Sequence, residues 1–370
     1  MARSGPWHGV SMLDIRAATK SYEAWLDKRI RIIPADLEEK HKRMKEGAFP
    51  FFRATYYHWA QSWPRICSAL ADAPVVLSVA DIHIENFGTW RDADGRLVWG
   101  INDFDEAWAL PYTSDLVRLA AGAVVAIREE KALRSETGEA CQAILSGYTE
   151  ALSSGGGAFV LEEKHLHLRK LAVARLADPG EFWRKLEKLP AWNGRVPKGA
   201  RKALERAMPE RKLDYRIVHR IAGLGSLGRE RLAVIAHWRG AQVAREAKAL
   251  APSACAWAGG VKGAPKPLYA TILAKAVRCP DPFLFVGKRW VVRRLSPSSS
   301  RIELGDLPRE RQELRLLEAM GAELANLHLG SGNRKAVLRD LKARKNSWLL
   351  DAAKRMADAV ENDWKTWKRG

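Results

Sequence analysis

Two short stretches of sequence are the most informative in this chain. They are Val79-Ala80-Asp81-Ile82-His83-Ile84-Glu85-Asn86 and Ile101-Asn102-Asp103-Phe104-Asp105. An Asn follows Asp81 five residues later, and the Asp-Phe-Asp group comes after an insert that contains a turn. Phosphoryl transfer needs one carboxylate that orients and deprotonates a hydroxyl. It also needs an amide and a second carboxylate that hold Mg²⁺ against the phosphates of ATP. The two stretches supply the first carboxylate, the amide and the second carboxylate in this order. We therefore expect phosphoryl transfer from them.

The spacing of these residues is that of the protein-kinase catalytic loop and its downstream metal-binding motif. Asp81 and Asn86 could instead stabilise a loop through bonds between side chain and backbone. Asp105 could bind a second metal ion or cap the next segment, and Asp115, at the start of a helical pattern, is expected to be an N-cap. His83 has no second His or Cys nearby, so we do not expect a structural metal site.

A glycine-rich segment, Gly223-x-Gly225-x-x-Gly228, comes later in the chain. A dinucleotide fingerprint would need its last glycine to open a helix, whereas strand-like residues follow Gly228. A hairpin loop over phosphates fits better, because glycines let backbone amides approach an anion closely. Lys248, on a candidate third strand, stands where a kinase places its phosphate-pairing lysine, and alternation puts Glu246 on the same face. A plain turn and a solvent-exposed lysine are the alternatives.

Strand and helix patterns give the expected fold class. Residues 75–79 predict a buried strand, and residues 90–99 predict a hairpin that returns Asp103 towards Asp81. Further strands are predicted at 232–236, 242–248, 283–286 and 290–294, a helix at 308–330, and a basic amphipathic helical tail at 334–368. We predict an α+β protein with a helical large lobe over 1–220, a small β-rich lobe over 221–300, and a helical return to the large lobe over 301–370.

Composition narrows the class of protein. A hydrophobic content of 47% is typical of a soluble globular chain, and no apolar run is long enough to cross a bilayer. The start of the chain lacks the apolar core of a signal peptide, so we expect a cytoplasmic protein without a membrane partner. The four cysteines are far apart, which predicts buried thiols rather than zinc ligands or disulfides. The net charge of +19 is mixed with acidic residues, so a solvated basic surface is favoured over a nucleic-acid partner.

Together these segments resemble a bacterial family known as domain of unknown function 2252, which is grouped with protein-kinase-like and aminoglycoside-phosphotransferase-like folds. The resemblance is carried by Asp81-x-His83-x-Glu85-Asn86-Phe87-Gly88, Asn102-Asp103-Phe104-Asp105-Glu106-Ala107 and Ser114-Asp115-Leu116-x-Arg118-Leu119. Typical members have a glycine where this chain has Ala80. Further similarity occurs at Phe49-x-Phe51-Phe52-Arg53, the glycine-rich segment, 248–253, Val292-Arg293-Arg294 and Leu324-Ala325-x-Leu327-His328. The resemblance therefore extends from about residue 40 to 335.

The resemblance implies a role for each matching residue. Asp81 becomes the catalytic base, and Asn86 and Asp103 become metal ligands. Lys248 pairs with ATP phosphates under a covering loop formed by Gly223, Gly225, Ser226 and Gly228. Asp115 braces the catalytic loop from behind, and Arg53 belongs to a family signature that could bind an anionic ligand or a loop carbonyl.

The order of these parts differs from that of an ordinary kinase, since the glycine loop and its lysine follow the catalytic loop. A circularly permuted, two-lobed kinase-like fold would reconcile the order, because it needs only that the original chain ends lie close in space. The alternative is a glycine-rich hairpin unrelated to nucleotide binding. The expected function is an ATP- and Mg²⁺-dependent phosphotransferase acting on a hydroxyl of a small molecule or protein. A non-catalytic nucleotide-binding regulator, an AMP transferase and a nucleic-acid-binding protein are the alternatives.

Overall fold

The computed structural model describes residues 12–129, 135–162, 164–174, 176, 178–299 and 312–370. Over these residues the chain is an α+β protein in which helices predominate and the strands form three antiparallel sheets. The helices are α1 Ile15–Asp27, α2 Pro34–Arg43, α3 Ala48–Ala54, α4 Tyr56–Ile66, α5 Tyr112–Arg128, α6 Thr137–Ser154, α7 Leu166–Ala174, α8 Pro179–Glu187, α9 Lys198–Ala207, α10 Ala254–Ala258, α11 Tyr269–Lys275, α12 Gln312–Leu329, α13 Arg334–Ala343 and α14 Trp348–Lys368. The strands are β1 Val75–Ser78, β2 Phe87–Arg91, β3 Leu97–Ile101, β4 Trp108–Pro111, β5 Phe159–Val160, β6 Tyr215–His219, β7 Arg231–Trp238, β8 Ala241–Ala249, β9 Phe285–Val286 and β10 Trp290–Leu295.

Two small sheets carry the first pair of sequence motifs. β1 pairs with β4, from Val75 opposite Pro111 to Ser78 opposite Trp108. β2 and β3 form the hairpin expected from the sequence, with β5 added at the outer side of β3. The loop between β1 and β2 holds Asp81, and the chain leaving β3 holds Asp103. The strand pairing therefore brings the two motifs to one place, as the hairpin prediction required.

A bundle of long helices supports these sheets and contains most of the hydrophobic core. Helices α5, α6 and α14 pack against one another, α12 packs on α6, and α3 and α4 pack on α14. The axes of α6 and α12 approach closely where Gly147 meets the backbone of Glu318 and Gly321 meets that of Ile144. Among the described residues, no helix combines the length and apolar content needed to cross a bilayer. Cys67, Cys141 and Cys255 are buried free thiols within this core.

The third sheet has five strands in the order β6-β7-β8-β10-β9. Side chains alternate between its faces, as they do in any strand. One face packs on α9 through residues such as Leu232, Val234 and Ala247. The other face packs on α8 at one end, through Ala233 and Ala244, and is charged at the opposite end. This charged end faces the Asp81 and Asp103 loops.

Several boundaries differ from the sequence expectation. The helical tail is two helices, since α13 ends at Ala343 and α14 begins at Trp348. The large sheet takes in β6, and α8 and α9 pack on its faces, so the sheet and its helices begin before residue 221. Residues 300–311, where the helix predicted at 308–330 was expected to start, lie outside the described residues. The division into lobes at 220 and 300 stays a prediction.

Candidate active site

A cavity of about 310 Å³ lies between the two small-sheet loops and the charged end of the large sheet. Both distant groups of predicted site residues line it. These are Arg53, Asp81, Asn86, Asp103, Asp105, Gly223, Gly225 and Ser226. Lys248 and Asp115 are fully buried, and Gly228 is buried as well. The fold thus joins sequence motifs that are more than a hundred residues apart.

Asp115 supports the loop that carries Asp81. Its carboxylate accepts the backbone N–H of Val79 at 2.7 Å and that of Ala80 at 2.9 Å. It also accepts from Nε2 of His328 at 3.1 Å, and Nδ1 of that ring is bonded to the Tyr148 hydroxyl at 2.8 Å. The prediction of an N-cap was wrong, because α5 begins at Tyr112 and the Asp115 carboxylate turns to the neighbouring loop. In this position it fixes the backbone immediately before Asp81.

The Asp81 carboxylate is held by a buried arginine. Nη2 of Arg118 donates to Oδ1 of Asp81 at 2.7 Å and to the carbonyl of Phe52 at 2.8 Å. The guanidinium lies 3.6 Å from the Phe52 ring centroid and 4.7 Å from that of Trp59, which fixes its plane. Burial raises the pKa of the Asp81 carboxyl to about 6, against the opposing effect of the Arg118 charge. Asp81 is therefore ionised at neutral pH, with one oxygen fixed and its Oδ2 on the side of Gly225.

Asn86 and Asp103 are oriented by backbone groups. Nδ2 of Asn86 donates to the carbonyl of Asp103 at 3.1 Å, and the N–H of Asn102 donates to the carbonyl of Asn86 at 2.9 Å. Oδ1 of Asp103 accepts the N–H of Asp105 at 3.2 Å. These bonds use the amide nitrogen of Asn86 and leave its Oδ1 as the oxygen that can meet a cation.

Lys248 lies directly against the two aspartates of the second motif. Its Nζ is 2.7 Å from Oδ2 of Asp103 and 2.7 Å from Oδ2 of Asp105. Arg229 adds contacts to Asp105 at 3.2 Å and to Glu106 at 2.8 Å. Burial opposes ionisation of Asp103, but the Lys248 and Arg293 charges outweigh it and lower its pKa. Burial and the adjacent Asp103 charge raise the pKa of Asp105, so Asp103 carries the negative charge most firmly.

The donor chemistry fits magnesium bound together with phosphates. Mg²⁺ prefers oxygen ligands and is held by one or two carboxylates plus substrate phosphates and water. Asn86 and Asp103 provide one amide oxygen and one carboxylate on the cavity wall. Within the described ranges, no group of three or more His, Cys, Asp or Glu residues could hold a metal ion. A cation here would therefore depend on a bound ligand for most of its coordination.

The glycine-rich loop joins β6 to β7 and is docked on the helical part of the molecule. Gly223 and Gly228 have φ values of 72° and 94°, which side-chain-bearing residues rarely adopt. A methyl group on Gly225 would lie 3.0 Å from the carbonyl of Arg53 and 3.4 Å from Oδ2 of Asp81. Nζ of Lys40 donates to the carbonyl of Gly225 at 3.3 Å. The loop thus lies directly beside the candidate base.

Arg53 lines the cavity and forms an ion pair with Glu85. That pair connects α3 to the loop between Asp81 and Asn86. Glu85 is thereby a structural partner of the loop.

Sequence reasoning missed several basic residues of the site. Arg118 and Arg293 stood inside segments that carried the family resemblance, but no role was assigned to them. Lys40 was marked in the sequence only by the basic run that contains it, and Arg229 only by its position directly after Gly228. Arg231 could have been found by strand register, because it lies directly opposite Lys248 on β7. Each acts through partners that are distant in sequence, and a single sequence does not reveal such pairs.

Comparison with known proteins finds a similarity that covers part of this site. Residues 31–189 match a family described as an uncharacterized protein conserved in bacteria, DUF2252. No curated protein and no solved structure matches the chain. The matched residues include Asp81, Asn86, Asp103 and Asp115, and they end before the glycine loop and Lys248. Over residues 31–189, the chain is therefore similar to the DUF2252 family.

Proposed function

We propose that the protein is an ATP- and Mg²⁺-dependent phosphotransferase that acts on a hydroxyl of a small molecule or protein. The observation that carries the proposal is the shared cavity, which is lined by Asp81, Asn86 and Asp103 and also by residues of the glycine-rich loop. These are the parts that phosphoryl transfer uses, since catalysis there is mostly positioning and charge neutralisation.

Asp81 would accept the proton of the acceptor hydroxyl. Its Oδ1 is fixed by Arg118, and its Oδ2 is the oxygen beside Gly225 of the glycine-rich loop. A pKa of about 6 leaves the carboxylate ionised at pH 7 yet basic enough to take a proton in the transition state. Arg118 and Asp115 act through Asp81, one by holding its carboxylate and the other by holding its backbone.

Asn86 and Asp103 would hold Mg²⁺, and when bound the ion would neutralise charge on the phosphate oxygens. Lys248 keeps Asp103 ionised, as the direction of that pKa shift indicates. In kinases a lysine on the third strand of the glycine-loop sheet and the metal-binding Asp belong to one site. Here Lys248 and Asp103 are 145 residues apart and lie 2.7 Å from each other, in the reverse chain order. This contact supports the proposal of a circularly permuted, kinase-like arrangement with two lobes.

A second candidate is a nucleotide-binding regulator without transfer activity. It is favoured by the docked loop, because a methyl group at Gly225 would already lie 3.4 Å from Asp81. It is also favoured by Lys248, whose ammonium is occupied by two carboxylates. A protein of this kind would bind ATP but would not pass its phosphate to an acceptor.

The test is a transfer assay with ATP labelled at the γ or the α position, in the presence of Mg²⁺ and a deproteinised bacterial metabolite extract. We expect γ label in a metabolite or in the protein itself, whereas α label alone would indicate AMP transfer. Asp81→Asn should reduce the γ transfer by about 10²- to 10⁴-fold, the usual contribution of a general base. The control is Asp94→Asn, which makes the same change on an exposed turn. Full activity of Asp81→Asn would contradict the assigned role, and saturable binding without any transfer would favour the regulator.

A further inference from the structure

A cluster of charged residues on the large sheet lines the same cavity as Asp81. It is made of Glu246, Arg220, Arg231 and Arg293. Nη1 of Arg231 donates to Oε1 of Glu246 at 2.9 Å. Nε of Arg293 lies 3.5 Å from the same oxygen, and Nη1 of Arg220 contacts Oε2. We refer to these three arginines with Glu246 as the arginine cluster. A single carboxylate is thus shared by three guanidinium groups.

The strands place these side chains together. In the sheet register Arg293 on β10 stands opposite Glu246 on β8, and Arg231 on β7 stands opposite Lys248. The backbone N–H of Arg220, just after β6, bonds to the carbonyl of Arg231 at 3.3 Å. The cluster is therefore built on regular sheet structure, which holds its geometry firmly.

The charge within the cluster is not balanced. Three positive groups surround one carboxylate whose side chain is only 1% exposed, which leaves an excess of two positive charges. Burial opposes ionisation of Glu246, but the three arginines outweigh it and lower its pKa, so the carboxylate is charged. Burial lowers the pKa of Arg231 against the opposing effect of the Glu246 charge, and the charges of Arg293 and Arg220 lower it further. Like charges held together in a partly buried site are costly unless an anion joins them.

The remaining donors of the cluster are directed to the cavity. Each guanidinium has five N–H groups, and a single carboxylate uses only a few of them. All three arginines line the cavity, and the side chains of Arg220 and Arg293 are 29% and 22% exposed. Nη2 of Arg231 donates to Oγ of Ser226 at 2.9 Å, so the cluster is joined to the glycine-rich loop. An anion in the cavity would meet several donors at once.

Lys248 differs from these arginines. It is fully buried, and its ammonium contacts Asp103 and Asp105. It supports the metal-binding aspartate and presents no exposed surface to a ligand.

We propose that Arg220, Arg231 and Arg293 bind the phosphate groups of the nucleotide, and that Lys248 positions Asp103 instead of contacting phosphate. The inference rests on the proposed function and specifies its phosphate site. Guanidinium groups suit it because their planar forks pair with two phosphate oxygens at a time. The phosphates would then lie between the arginine cluster and Asp103, with the glycine-rich loop beside them.

The experiment measures binding of inorganic tripolyphosphate to the full chain by calorimetry at physiological ionic strength, without nucleotide or Mg²⁺. Arg293→Gln and Arg220→Gln should each weaken binding by about 10- to 100-fold, the loss typical of a charged hydrogen bond. Arg216→Gln is the matched control, since it removes the same charge from an exposed position on β6 of the same sheet. It should change the affinity by less than about twofold, because charges exposed to solvent are screened.

Two results would overturn the inference. One is unchanged binding in both Arg293→Gln and Arg220→Gln. The other is equal weakening in Arg216→Gln, which would indicate attraction by overall charge alone. The two arginines are partly exposed, so either variant serves if the other fails to fold. Tripolyphosphate binding that depends on the cluster, in a protein that transfers no label from ATP, would retain this anion site and reject the transferase. Transfer of label from ATP without cluster-dependent binding of tripolyphosphate would retain the transferase and reject this anion site.

Discussion

Ala80 is held in a backbone conformation that is unusual for a residue with a side chain. Its φ is +71°, in the left-handed region, and it directly precedes Asp81. The family pattern has glycine here, which adopts this conformation without steric cost. The backbone N–H groups of Val79 and Ala80 each donate a hydrogen bond to the Asp115 carboxylate, and these bonds keep the strained geometry in place. The loop that carries the candidate base is therefore fixed by its surroundings against its own local preference.

Ala80→Gly should stabilise the protein by about 1 kcal/mol, because it removes a Cβ from a position with positive φ. Urea denaturation followed by circular dichroism would measure the change. Ala143→Gly, on the regular helix α6, is the control and should destabilise by about 1 kcal/mol through the lower helix propensity of glycine. A less stable Ala80→Gly protein would show that the conformation is not strained.

Some residues of the candidate site could be predicted from the sequence, and others could not. Asp81, Asn86 and Asp103 could be predicted as a group because the spacing of their chemical groups is local. The arginine cluster could not, because Arg220, Arg231 and Arg293 acquire their meaning only from a sheet register that brings Glu246 among them. The sequence predicts that the Asp115 carboxylate caps its own helix, because the start of a helix is visible in the local sequence. Its contact with the backbone of Val79 and Ala80 is not visible there.

At the scale of elements, the crossing of α6 and α12 depends on two glycines. A methyl group on Gly147 would lie 1.9 Å from the carbonyl oxygen of Glu318, and one on Gly321 would lie 2.0 Å from that of Ile144. Both distances are far below van der Waals contact, and both involve backbone atoms that cannot rotate away. The helices could not keep their present separation with any larger residue.

Gly147→Ala should therefore destabilise the protein by about 3 kcal/mol, the upper part of the range for overpacked cores. Gly138→Ala on the same helix is the matched control, because its methyl group would meet only a leucine methyl at 3.9 Å. The control should be neutral or slightly stabilising, since alanine is the better helix former. Thermal unfolding of both variants would measure the difference, and equal stability would contradict the close crossing.

Elements with clear turn signals were predicted well. The hairpin around Asp92-Ala93-Asp94-Gly95 and the strand at Val75–Ser78 were both confirmed, because turn residues and β-branched runs mark them locally. The break between α13 and α14 was missed, since no glycine or proline lies between residues 334 and 368 to signal it. It is set by packing, as each helix turns a different buried face to the core.

At the scale of the whole molecule, the cavity is assembled from residues between Tyr22 and Ser299. The strand patterns predicted an α+β chain, which is confirmed. They did not predict that α8 and α9 would pack on the large sheet, or that its charged end would line the cavity with Asp81 and Asp103. That arrangement confines a strongly charged sheet surface to the cavity wall. Nucleotide binding in the cavity is the claim on which the proposed chemistry depends.

The most direct test is a crystal structure of the protein with Mn²⁺ and a non-hydrolysable ATP analogue, using anomalous scattering to locate the metal. We predict the metal within coordination distance of Asp103 and Asn86, with the analogue's phosphates in contact with Arg231 and Arg293 and its terminal phosphate facing Asp81. A nucleotide bound outside this cavity, or a metal that does not touch Asp103, would contradict the account.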